Sequence, residues 1–129
     1  MDYQVYITVP PLTQPEEPVY VTVRIPQGTI TAVRVFIPWG VAGLAGVRLK
    51  IDEQQVYPSN LDGWYTGNDN MIVINDKLTL TETFQTLKVE GYNLDDTYEH
   101  TIYVGVTVLA PEEQTVTPAF IGFLQSEEY

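Results

Sequence analysis

The 129-residue sequence predicts an all-β fold, a single-domain antiparallel β-sandwich. Three observations carry that prediction. β-branched and aromatic residues alternate along runs such as 3–9 and 99–109, clusters of proline, glycine and asparagine interrupt those runs at short intervals, and no convincing amphipathic helix is present. Length and composition agree: 44% hydrophobic and 12% aromatic residues describe a globular chain with one core.

The elements follow in order. Tyr3 to Val9 is a strand that stops at Pro10-Pro11, and residues 10–18 form a proline-stiffened connection that cannot donate ladder hydrogen bonds at its prolines. Residues 1–18 therefore read as an N-terminal strand and arm. Val19–Ile25 and Thr29–Ile37 are strands joined by Pro26-Gln27-Gly28, whose turn chemistry predicts that the two pair as a hairpin. The second of them has apolar residues on both faces and is expected at the centre of a sheet. Gly46–Ile51 and Val56-Tyr57 come next, then the turn-rich stretch 58–70 around Trp64 and Tyr65. Further strands are expected at 71–74, 77–80, 84–90 and 99–109, and residues 111–129 read as a C-terminal arm. About eight or nine short strands at this spacing favour jelly-roll connectivity over an immunoglobulin-like arrangement.

Charge excludes several classes of function. The formal net charge is -11 with six Lys or Arg, so the cationic footprint of a nucleic-acid binder is missing and anionic lipid surfaces would repel the chain. No apolar run approaches the roughly 18 residues a membrane-spanning helix requires. The opening MDYQVYITVP lacks the basic and apolar regions of a secretion signal, so none is expected.

The chain contains no cysteine, which removes disulfides, thiolate nucleophiles and sulfur-rich zinc sites. Gly40, Gly43 and Gly46 do not have phosphate-loop spacing and lead into a strand instead of a helix. A Ser-His-Asp triad would need His100 with Ser59 or Ser126, and neither serine sits in a nucleophile motif. Asp95, Asp96 and Glu99 could approach Asp62 or Asp69, but acids are common here and solvated turns explain them. Residues 60–70 and Asn93–Asp96 offer oxygen ligands for calcium, yet Asn68, Asp69 and Asn70 are consecutive and lack calcium-loop spacing. The sequence thus predicts no catalytic residue, no cofactor and no metal.

Surfaces remain. From Phe36 to Val47 the stretch FIPWGVAGLAGV carries no charge, and its glycines place Trp39, Val41 and Leu44 on a connection where water is expected. Covered by another subunit, these three become interface contacts, and Phe120, Ile121 and Phe123 become a docking arm. The alternative reading is a carbohydrate-binding module in which Trp64, Tyr65 and Tyr92 form a stacking platform.

The stretches IPQGTITAVRVFIPWGVAGLAGVRLKI, GWYTGND and GYNLDDTYEHTIYVGVTVL resemble small single jelly-roll proteins of phage and virus particles. That resemblance implies a capsid, decoration or spike component, a virion location, and self-association, with a trimer favoured. The expected function is a non-enzymatic structural protein whose partners are its own copies and a larger protein assembly.

Overall fold

The computed structural model describes residues 1–111. Seven antiparallel strands form one hydrogen-bonded sheet: β1 (Asp2–Val9), β2 (Val19–Ile37), β3 (Ala45–Ile51), β4 (Gln54–Tyr57), β5 (Tyr65–Thr66), β6 (Asn70–Asn93) and β7 (His100–Leu109). The strand order is β1-β7-β2-β6-β3-β4, with the two-residue β5 paired to β3. The predicted all-β antiparallel class is what the chain adopts.

The strands are fewer and longer than the sequence suggests. β2 runs for 19 residues and β6 for 24, and the two pair along their whole length with register shifts between Pro26 and Gly28 and between Ile30 and Ala32. The expected hairpin at 26–28 is therefore corrected. The chain bends there without reversing, because β6 supplies a continuous partner on both sides of the shift. The polar interruptions at Asn75-Asp76 and Thr81–Thr83 are likewise absorbed into one strand.

This bend makes two layers from one sheet. Residues 28–37 of β2 and 70–80 of β6 lie with β7 and β1, whereas residues 19–26 of β2 and 84–93 of β6 lie with β3 and β4. Splitting the two long strands at the bend turns the six strands of the main path into eight segments, paired first with eighth, second with seventh, third with sixth and fourth with fifth. That is a ribbon rolled on itself, the jelly-roll arrangement.

The inner faces follow strand alternation. Val5, Ile7 and Val9 of β1, Val33, Val35 and Ile37 of β2, Val47, Leu49 and Ile51 of β3, Leu87 and Val89 of β6, and Ile102, Val104, Val106 and Val108 of β7 are all buried in one core. The layers approach so closely that a Cβ on Gly91 would sit 2.8 Å from Val9 Cγ2, which leaves glycine as the fitting residue. β1 is therefore not an arm. It is a sheet strand whose apolar half closes the core, and Leu12 and Thr13 tie the following connection to Asp95 and Asn93 through backbone bonds. No helix among the described residues is long and apolar enough to cross a membrane.

Candidate interaction surfaces

The apolar segment after β2 divides between core and solvent. Val41 is 1% exposed and belongs to the core, so the expected interface role for Val41 is corrected: its side chain is consumed inside its own protomer. Trp39, at 79%, is exposed, and Leu44 is partly so. Asn68 Oδ1 accepts hydrogen bonds from the backbone N–H groups of Gly40 (2.8 Å) and Ala42 (3.0 Å), and Leu94 N–H donates to the Leu44 carbonyl at 2.8 Å. The segment is a fixed loop pinned by residues far along the chain. Phe120, Ile121 and Phe123, the expected docking arm, lie outside the described residues, as does nearly all of the expected 111–129 arm.

The alternative platform comes together differently from the prediction. Trp64 and Tyr92 do meet, edge to face, with ring centroids 4.8 Å apart. Tyr92 is buried, however, the Arg48 guanidinium carbon lies 4.2 Å from the Trp64 ring centroid, and Tyr65 packs against the core. This corrects the expectation of a flat, open stacking surface: the rings are spent on one another and on a cation.

The surroundings of Trp64 form the outer face of the β2–β6–β3 layer. Alternation places Tyr20, Thr22 and Arg24 of β2, Phe84, Thr86, Lys88 and Glu90 of β6, and Arg48 and Lys50 of β3 on that side. Glu90 is only 5% exposed, and three of the six cations converge on it: Arg48 Nε at 2.7 Å, Lys50 Nζ at 3.2 Å and Lys88 Nζ at 3.6 Å. Burial by itself would raise the Glu90 carboxyl, but the hydrogen bonds and charges of Arg48 and Lys50 outweigh it and hold the group below its ordinary value. Arg24 over Phe84 and Lys88 over Tyr20, each at 4.5 Å, complete a row of cation–ring contacts. Tyr20 and Phe84 nonetheless stay largely exposed, at 60% and 53%, each with a cation over its ring.

The outer face of the β1–β7–β2–β6 layer carries rings and apolar side chains with fewer cations beside them. Tyr6 of β1, Tyr103 of β7, Phe36 of β2 and Met71 and Val73 of β6 fall on one side of four neighbouring strands. Tyr6 and Tyr103 meet at 5.0 Å in an edge-to-face contact, and Phe36 lies 5.9 Å from Tyr103. Tyr6 remains 62% exposed, and Met71 and Val73 56% each. Gly105 leaves space on this face for the Arg34 side chain, which crosses it to donate to Thr107 Oγ1 at 3.1 Å and to face Asp2 at 3.6 Å. The Thr107 hydroxyl also bonds Asp2, which is the main reason the Asp2 carboxyl is held below its ordinary value. A shallow groove of about 260 Å³ runs between Gln4, Tyr6, Arg34, Phe36, Met71 and Tyr103. None of Tyr6, Arg34, Phe36, Met71, Val73 or Tyr103 was singled out from the sequence. The available signal was aromatic or apolar residues at outward-facing strand positions, which becomes a patch only when the strand order is known.

His100 and Asp95 do pair, Nε2 to Oδ2 at 2.9 Å, at the entry to β7. The same carboxylate accepts hydrogen bonds from Thr97 N–H and Tyr98 N–H and is held below its ordinary value, first by the Thr97 bond and then by His100. This is a turn lock between β6 and β7. Among the described residues no cluster of three His, Cys, Asp or Glu could hold a metal ion. No family model matches the chain, and no curated protein is found to match it.

Proposed function

We propose that this chain is a non-enzymatic structural protein that works through its surfaces, self-associating and building or decorating a larger assembly such as a virus particle. The observation that carries this reading is the aromatic face of the β1–β7–β2–β6 layer, where Arg34 and Asp2 face one another and Tyr6, Tyr103, Met71 and Val73 stay exposed side by side. Contiguous apolar surface of this kind mostly serves contacts with other molecules, because leaving it in water invites aggregation. Exposed Trp39, immediately beyond the β2 end that carries Phe36, adds a large hot-spot residue near the same layer.

Sedimentation from about 1 to 100 μM tests the reading, since contacts of micromolar affinity populate across that range. Multimers are expected at the upper end, and Met71→Lys with Val73→Lys should shift the chain toward monomer. A monomer throughout, with no effect of the paired substitution, overturns the proposal.

A further inference from the structure

The two ends of the sheet are finished differently. At the β4 end, a four-residue strand enters with a register shift between Leu49 and Lys50, and the accompanying β5 has two residues. Short strands and irregular register are common ways of blunting a sheet edge. At the other end β1 offers eight residues in unbroken register, DYQVYITV, without lysine, arginine, proline or glycine. Among the described residues no strand pairs with its outer edge.

The outward groups of that edge can be identified. Met1 and Val108 exchange backbone bonds in both directions, each at 2.8 Å. In an antiparallel ladder such doubly bonded pairs recur every second residue, so Tyr3, Val5, Ile7 and Val9 face β7. The N–H and C=O groups of Asp2, Gln4, Tyr6 and Thr8 therefore point away from the sheet. Their side chains lie on the aromatic outer face, continuous with the patch described above.

We infer that β1 pairs antiparallel with β1 of a second copy across a two-fold axis, joining two four-stranded layers into one eight-stranded layer. The inference rests on the self-association reading and names the contact that performs it. Two arguments select a second copy as the occupant. First, an antiparallel strand pair about a two-fold axis is self-complementary, so each outward donor meets an acceptor of the same sequence. Second, the chain is strongly acidic, with a net charge of -11, yet this edge and face carry Asp2 and Arg34, which face one another. Two like-charged copies meet with least repulsion through such a neutral window, whereas a cationic foreign strand would be drawn to the acidic surface elsewhere. The contact is two-fold, so its smallest product is a dimer and not the trimer implied by the resemblance.

Light scattering coupled to size exclusion tests this at about 100 μM, a concentration that fills micromolar contacts. The full chain is expected at twice its 14.6 kDa mass. Gln4→Pro deletes one outward N–H and leaves every β1–β7 bond in place, so it should weaken the dimer at least tenfold. Tyr6→Lys, which places a new cation from each copy on the pairing edge, should do the same if the proline variant fails to fold. A full chain that multimerises while neither folded variant weakens it overturns the β1 contact and leaves self-association standing. A monomeric full chain overturns both. A chain ended after Pro111 should still dimerise; loss of the dimer on that truncation assigns the contact to residues 112–129 and overturns the β1 pairing.

Discussion

The two outer faces of the rolled sheet both keep aromatic side chains partly in water, Tyr20 and Phe84 on one and Tyr6 and Tyr103 on the other, and differ in where the cations lie. On the β2–β6–β3 side, rings and cations are matched one to one: Trp64 with Arg48, Tyr20 with Lys88, Phe84 with Arg24, and Glu90 beneath three cations. On the β1–β7–β2–β6 side, Tyr6, Phe36 and Tyr103 have one another, and Arg34 is turned aside to Thr107 and Asp2. The comparison teaches that an aromatic side chain on a strand does not by itself mark a binding surface. What separates the two faces is the company the exposed rings keep: Tyr20 and Phe84 lie under cations, whereas Tyr6 meets the Tyr103 ring.

The sharpest way to break the contrast is to remove the centre of the cation-rich face. Glu90→Ala leaves Arg48 and Lys50, both mostly buried, without their counter-charge, and should cost about 3 kcal/mol, measured by urea unfolding. Asn93→Ala comes next. The fully buried Asn93 amide donates to the carbonyls of Val9 (3.1 Å) and Tyr98 (2.9 Å) and accepts from Asp95 N–H (2.9 Å), joining the end of β1 to the other layer. Losing these partners should cost about 2 kcal/mol, because buried backbone groups are left unsatisfied.

Acidity sharpens the comparison. The Glu90 carboxyl is depressed below its ordinary 4.5, so the stability it contributes is fully present above that pH and is lost as pH falls through the lower folded value. Asp95 and Asp76 act in the same direction, Asp76 chiefly through the Tyr57 hydroxyl that donates to it at 2.7 Å. The melting temperature should be flat from neutral pH to about 5 and decline below about 4.5, with a shallower decline in Glu90→Gln. The smallest effect on stability belongs to the face with few cations. Tyr6→Ser should cost less than about 1 kcal/mol, since the residue is already 62% exposed, while lowering self-association in sedimentation.

Much of the fold was legible in the residues, and the reasons for the misses are specific. Alternation in 3–9, 29–37 and 99–109 identified strands correctly, since burial of one face forces a two-residue period whatever the partner. Pro26-Gln27-Gly28 misled because a reversing turn and a bulged bend use the same residues, and only the continuous β6 partner decides between them. Val41 misled for a related reason: a glycine-rich loop does not encode which of its side chains turns inward. The aromatic patch of Tyr6, Phe36 and Tyr103 was hidden because these residues are separated by most of the chain and become neighbours only through the order β1-β7-β2.

The bend shared by β2 and β6 has a mechanical consequence. Two uninterrupted strands carry the ladder from one layer into the other, so neither layer can peel away as a separate unit without tearing hydrogen bonds in its counterpart. Load applied at one end of the fold is thereby shared by both layers instead of being concentrated in one.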